Sequence, residues 1–113
     1  MKKVACLVLL LAALALGQQL DLSRPEGRWE VQHTDGSTFF MDLKSDHTCT
    51  STYQSGEVGT WSWHPRTGLT MDWTDGWRDR IFYNQEGRLE KWGWEPGANR
   101  KGEPSNRTAA RKL

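Results

Sequence analysis

Four triplets of one form recur along the chain: Thr34-Asp35-Gly36, Ser45-Asp46-His47, Thr74-Asp75-Gly76 and Gln85-Glu86-Gly87. Each carries an acid at its centre, followed by Gly or, once, His. Asp46 follows Asp35 by 11 residues, and Glu86 follows Asp75 by 11. Between the triplets lie short runs rich in Trp, Phe, Thr, Val and Tyr, and no sustained helical period appears. Strand-length runs separated by turn residues at this spacing are the signature of an all-β chain. The triplets predict one hairpin geometry used repeatedly: a three-residue loop, with a type I turn followed by a left-handed residue. Gly supplies that conformation without strain, and His47 is expected to adopt it as a non-glycine residue.

The loop length fixes which side chains meet. With a three-residue loop at Thr74-Asp75-Gly76, Trp73 faces Trp77, Met71 faces Asp79 and Leu69 faces Ile81, while Asp72 meets Arg78 and Thr70 meets Arg80. A two-residue Asp-Gly loop would set Asp72 beside Asp79, an unfavourable like-charge pair. The same loop elsewhere pairs Trp29 with Met41, Val31 with Phe39, Leu43 with Cys49 and Met41 with Ser51. The same register continues to Phe39–Tyr53; a loop at Gln54-Ser55-Gly56 then predicts Cys49–Trp61, and a longer one around Pro65 gives Trp63–Leu69 and Trp61–Met71. One face is apolar throughout, as a strand with one buried face requires. The last hairpin leaves two registers open. A three-residue loop at Gln85-Glu86-Gly87 turns Trp92 and Trp94 outward beside Arg80 and Arg78, whereas a two-residue loop turns both Trp residues inward.

The sum is an all-β, up-and-down antiparallel meander of about 7–8 strands, closing into a barrel or half-open barrel, since exposed edges invite aggregation. Gly27-Arg28-Trp29 at the start of the first strand resembles the Gly-x-Trp that opens lipocalins and other calycin-type barrels. Gly59-Thr60-Trp61-Ser62-Trp63 and residues 73–81 resemble short bacterial lipocalin-like secreted proteins, most of them uncharacterised. The resemblance covers residues 27–97. It implies a barrel that holds a small apolar ligand, and an Arg near the chain end (Arg107 or Arg111) packed over Trp29. The chain is shorter than a lipocalin and lacks the middle Thr-Asp-Tyr motif and the C-terminal helix.

Ahead of the β domain, Lys2 and Lys3 precede an unbroken apolar run over residues 4–16, closed by Gly17. About 13 apolar residues are too few to span a bilayer, which needs roughly 20, and they suit a secretory signal peptide. Residues 1–17 are therefore expected to be a signal peptide cut after Gly17, with Ala15 at the −3 position; a cut after Ala15 is the alternative. Residues 18–26 are read as a linker, 27–97 as the β domain, and 98–113 as a basic tail or closing edge strand. The expected location is secreted or periplasmic, with no membrane span after cleavage. Cys49 is then the one remaining thiol, expected as a small buried hydrophobe between Thr48 and Thr50. Without disulfides the core must carry the fold, and seven Trp residues, each able to bury on the order of 200 Å², help to explain how. Residues 18–99 hold 8 basic and 13 acidic side chains, a net −5, and residues 100–113 hold 5 basic and one acidic, a net +4. The basic tail has no aromatic residue, so a solvated end or an edge strand is preferred to a nucleic-acid contact.

The sequence offers no catalytic constellation. His33, His47 and His64 fall at no metal-binding spacing, no phosphate loop or Gly-x-Ser-x-Gly is present, and no cofactor is expected. One carboxylate stands out: Asp79 falls on the apolar face and needs a partner there. Lys91, on the same face, offers a structural pair, and Trp N–H groups offer further bonds. The functional reading makes Asp79 a polar anchor at the mouth of a pocket. The primary expectation is a non-catalytic binding module for a small apolar or amphipathic ligand held by Tyr53, Trp61, Trp63, Met71 and Asp79, with Ser51, Gly59 and Gly93 leaving space. The alternative is a surface that recognises a glycan or a protein partner through Arg78, Arg80, Trp92 and Trp94.

Overall fold

The computed structural model describes residues 22–113; the expected signal peptide and residues 18–21 of the linker lie outside the described residues. Eight strands follow one another in a closed antiparallel barrel: β1 (Gly27–Gln32), β2 (Thr38–Leu43), β3 (Thr48–Ser51), β4 (Glu57–His64), β5 (Gly68–Trp73), β6 (Arg78–Tyr83), β7 (Leu89–Trp94) and β8 (Asn106–Lys112). This up-and-down meander closed on itself is consistent with a calycin-type, lipocalin-like fold in general. No helix among the described residues is long and apolar enough to cross a membrane.

The four triplets form four copies of one turn. The residue before each loop receives the N–H of the loop's third residue and donates its own N–H to the carbonyl just beyond the loop: His33 with Gly36 and Ser37, Lys44 with His47 and Thr48, Trp73 with Gly76 and Trp77, Asn84 with Gly87 and Arg88. The third residue is left-handed in every case, with φ of 89° at Gly36, 69° at His47, 99° at Gly76 and 77° at Gly87. In three turns the central Asp accepts the backbone N–H two residues ahead: Ser37 to Asp35, Thr48 to Asp46 and Trp77 to Asp75. In the fourth, the Asn84 side chain takes that role for Glu86 and Arg88.

These turns set the register, and Trp29–Met41, Leu43–Cys49, Trp61–Met71, Met71–Asp79 and Leu69–Ile81 pair as expected. The last hairpin adopts the three-residue loop, so Arg80 faces Trp92 and Arg78 faces Trp94 on the outside. One register differs. Cys49 pairs with Gly59 rather than Trp61, because the β3–β4 loop runs over residues 52–56. The Ser51 hydroxyl accepts the Tyr53 N–H, ending the strand two residues early, and both Gln54 (φ 53°) and Gly56 (φ 100°) turn left-handed. The shift is even, so inward residues stay inward. It brings Gly59 between Cys49 and Trp73.

Residues 106–112 complete the barrel as a strand. β8 pairs with β1 through Val31–Ala110 and with β7 through Lys91–Thr108, removing both edges of the meander. The expected Arg–Trp29 packing does not occur. Arg107 lies over Trp92, 4.4 Å from its centroid, and Arg111 pairs with Glu30 at 2.6 Å. Trp29 is instead anchored by its indole N–H to the Pro25 carbonyl at 2.8 Å, and Lys112 reaches the Arg24 carbonyl at 2.5 Å.

The interior is filled. Trp29, Val31, Met41, Cys49, Leu69, Met71 and Ile81 are fully buried. Eight strands enclose a bore just wide enough for side chains. A Cβ at Gly59 would fall onto the Asp72 carbonyl oxygen and come within 3.0 Å of the Trp73 ring. Gly59→Ala is therefore expected to destabilise the barrel by about 2 kcal/mol, lowering Tm by roughly 10 °C. Thermal unfolding followed by circular dichroism checks this, and an unchanged Tm would place Trp73 elsewhere.

Candidate functional site

The antiparallel order places the loops of residues 33–37, 52–56, 74–77 and 95–105 at one end of the barrel. They surround a mouth of about 270 Å³. Asp79 forms part of its lining. One carboxylate oxygen accepts the Trp73 indole N–H at 2.9 Å, and the other meets Lys91 Nζ at 3.3 Å. Both partners expected for a structural carboxylate are thus present, and Asp79 and Lys91 are each buried. A buried pair of this kind tolerates its desolvation only while both members remain. Gly93, opposite Asp79, leaves no open space, since a Cβ there would strike the side chains of Asn106 and Asp79.

Tyr53 joins the same mouth. Its hydroxyl lies 2.9 Å from His33 Nε2, and its ring stacks on His33 and tilts against Phe39. Beside them, burial pushes the Glu57 carboxyl up to about 7; a hydrogen bond shared with Asp75 adds to the rise, and the Ser51 hydroxyl partly offsets it. The sequence marks Asp75 only as a turn residue and does not mark Glu57, because their proximity depends on the β3–β4 register. No group of three or more His, Cys, Asp or Glu among the described residues is arranged to hold a metal ion.

The other residues expected to line an interior ligand site are dispersed. Met71 is core. Trp61 is buried, donates to the Lys44 carbonyl at 2.8 Å and stacks on His47 at 4.3 Å. Trp63 faces inward by parity but sits at the end of β4, where it is 39% exposed. Ser51 is occupied by Glu57 and Tyr53, and Gly59 by Trp73. Cys49 is buried as expected, and burial together with the fields of Asp79, Asp72 and Glu57 raises its thiol to about 12, which suppresses thiolate chemistry.

The larger concavity lies outside the bore. A cavity of about 730 Å³ runs from the outer faces of β6 and β7, around the β4–β5 turn, to the opposite end of the barrel. Leu22, Trp63, Pro65, Phe82 and Trp92 give it apolar walls, and Arg66, Thr67 and Arg80 give it polar ones. The Trp92 ring is fixed edge-on to Phe82 (4.9 Å) and Trp94 (6.1 Å). Arg80 lies 5.2 Å from the centroid of Trp94. Its Nε and the Trp92 Nε1 are buried with no hydrogen-bond partner among the described residues. Burial lowers the Arg80 pKa, and the Arg78 charge lowers it further.

The four residues of the alternative surface therefore divide. Arg78 is held by Asp72 through two bonds of 2.6 and 3.1 Å. Trp94 is 1% exposed beneath the loop of residues 95–105, bonded to the Gly102 carbonyl at 3.3 Å. Arg80 and Trp92 remain on the cavity wall. Sequence parity places Phe82 beside them as the outward apolar residue of a strand whose other outward residues are Arg78 and Arg80. Comparison of the chain with protein-family models, curated proteins and solved structures finds no match.

The mouth has a measurable signature. The folded protein keeps Glu57 protonated to higher pH than the unfolded chain does. Its contribution to stability is complete below its ordinary value of 4.5 and is lost as pH rises through about 7. Glu57→Gln, which mimics the protonated state, is expected to gain Tm relative to the wild type across that window. Parallel Tm–pH curves for the two proteins would show that Glu57 is not buried against Asp75.

Proposed function

We propose that the chain is an exported, non-catalytic binding module that takes a small amphipathic ligand in the 730 Å³ cavity beside the barrel rather than in its bore. The observation that carries this reading is the pairing of a filled interior with an aromatic-walled cavity of ligand size. Ligand sites are concave, largely apolar and furnished with a few convergent polar groups. Trp63, Phe82 and Trp92 supply the first property, and Arg80, Arg66 and Thr67 the second. The bore offers Met71, Leu69 and Ile81 in direct packing, so an apolar ligand there would have to displace core side chains. Export is supported by the charged and apolar leader of residues 2–17.

An uncharged amphipathic dye, N-phenyl-1-naphthylamine, tests the reading. Its fluorescence is expected to rise on binding the wild type. Trp63→Ala and Phe82→Ala are each expected to weaken it about tenfold, as the loss of one aromatic wall implies, while Met71→Leu leaves it unchanged. Absence of uptake by the folded wild type, or weakening by Met71→Leu alone, would overturn the assignment.

A further inference from the structure

We infer that the cavity beside the barrel selects an amphiphile with a carboxylate head, received by Arg80 and Trp92. This rests on the binding reading above and names the chemistry of the ligand. The first observation is charge pairing along the strands. Five arginines are borne on strands, and four meet a carboxylate: Arg28 with Asp42, Arg78 with Asp72, Arg107 with Glu103 and Arg111 with Glu30. Of these five, Arg80 alone has no carboxylate partner among the described residues. Its neighbour Arg78 takes both oxygens of Asp72, the nearest outward acid on β5.

The second observation is the lining. Among the described residues the cavity is lined by Arg66 and Arg80 and by no Asp or Glu, although the body of the chain carries an excess of acids. The third is the pair of orphaned donors. Arg80 Nε and Trp92 Nε1 have given up water without gaining an acceptor. A buried donor left unsatisfied is costly, and a partly desolvated guanidinium without an anion more so. The Trp94 face supplies some compensation through its π electrons, but it accepts no conventional N–H bond. Arg80 and Trp92 are direct cross-strand partners, and both line the cavity. A planar carboxylate matches a guanidinium fork with two parallel bonds, and the adjoining indole N–H offers a third donor. Phe82, Trp63 and Leu22 then line the path of the apolar part.

Three ligands of equal chain length separate the possibilities: octanoate, octanol and octylamine, each competed against the bound dye at pH 7.5 with the mature chain. Octanoate is expected to displace the dye about tenfold more tightly than octanol, as bonds to a charged group imply, with octylamine weakest. The preference is expected to shrink at high salt. Arg80→Gln brings octanoate down to the level of octanol and leaves octanol unaffected. If that variant loses its fold through the Trp94 contact, Trp92→Phe keeps the ring, removes the N–H, and is expected to lower octanoate affinity alone. Equal affinity for octanoate and octanol in the wild type would overturn the carboxylate inference while leaving the cavity as a binding site. Failure of the wild type to take up the dye or any of the three would remove the binding reading itself.

Discussion

In three of the short hairpins an aspartate oxygen receives the backbone N–H two residues ahead, and a left-handed residue follows directly. This contact does more than decorate a turn. It holds the loop at three residues, and loop length decides whether a given side chain enters the barrel or leaves it. A slip of one residue would invert every position of the following strand. The alternation of Trp29, Val31, Met41, Leu43, Cys49, Met71 and Ile81 toward the centre, and of the Arg–Asp and Arg–Glu pairs toward solvent, follows from that small geometry repeated around the ring. His47 bears the cost of a left-handed non-glycine residue, and its ring stacks on Trp61.

Closure then determines what the interior can hold. Eight short strands leave a narrow bore, and this chain fills it with Trp29, Trp73, two methionines and branched aliphatics. The small residues at mid-strand serve that filling. Gly59 admits the Trp73 ring, and Gly93 admits the Asp79 carboxylate and Asn106. The concave surfaces lie outward as a result: a mouth lined by paired polar groups and the aromatic cavity along β6 and β7. The loop of residues 95–105 covers part of the outside of the barrel. Arg100 ties it to the Gly76 carbonyl and Asp72, and Trp94 is sealed beneath it, close to Arg80.

Much of the fold was legible in the sequence because local chemistry determined it. Asp and Gly in the triplets specify the turns, and the Asp72–Arg78 and Thr70–Arg80 pairings follow by counting. The β3–β4 offset was not legible, since Gln54-Ser55-Gly56 resembles the other triplets while the Ser51 hydroxyl, a strand residue, actually ends the pairing. The closing strand was ambiguous because Ala110 is its only strongly apolar inward residue, among Arg107, Arg111 and Lys112. The candidate site was half legible. Asp79 and Tyr53 meet in the mouth, and Arg80 and Trp92 meet outside. Trp61 and Met71 were placed in a pocket that the core occupies. The burial of Trp94 depends on an eleven-residue loop whose path leaves no periodic trace in the sequence.

The proposed binding mode holds ligand beside the barrel and leaves the core-filled bore unentered. Each Trp carries an indole N–H, giving seven separate reporters in a two-dimensional 15N–1H spectrum. On titration with octanoate, the signals of Trp63 and Trp92 are expected to move progressively, while those of Trp29 and Trp73 stay in place. Movement of Trp29 and Trp73, with Trp92 unmoved, would put the ligand in the interior and contradict the account.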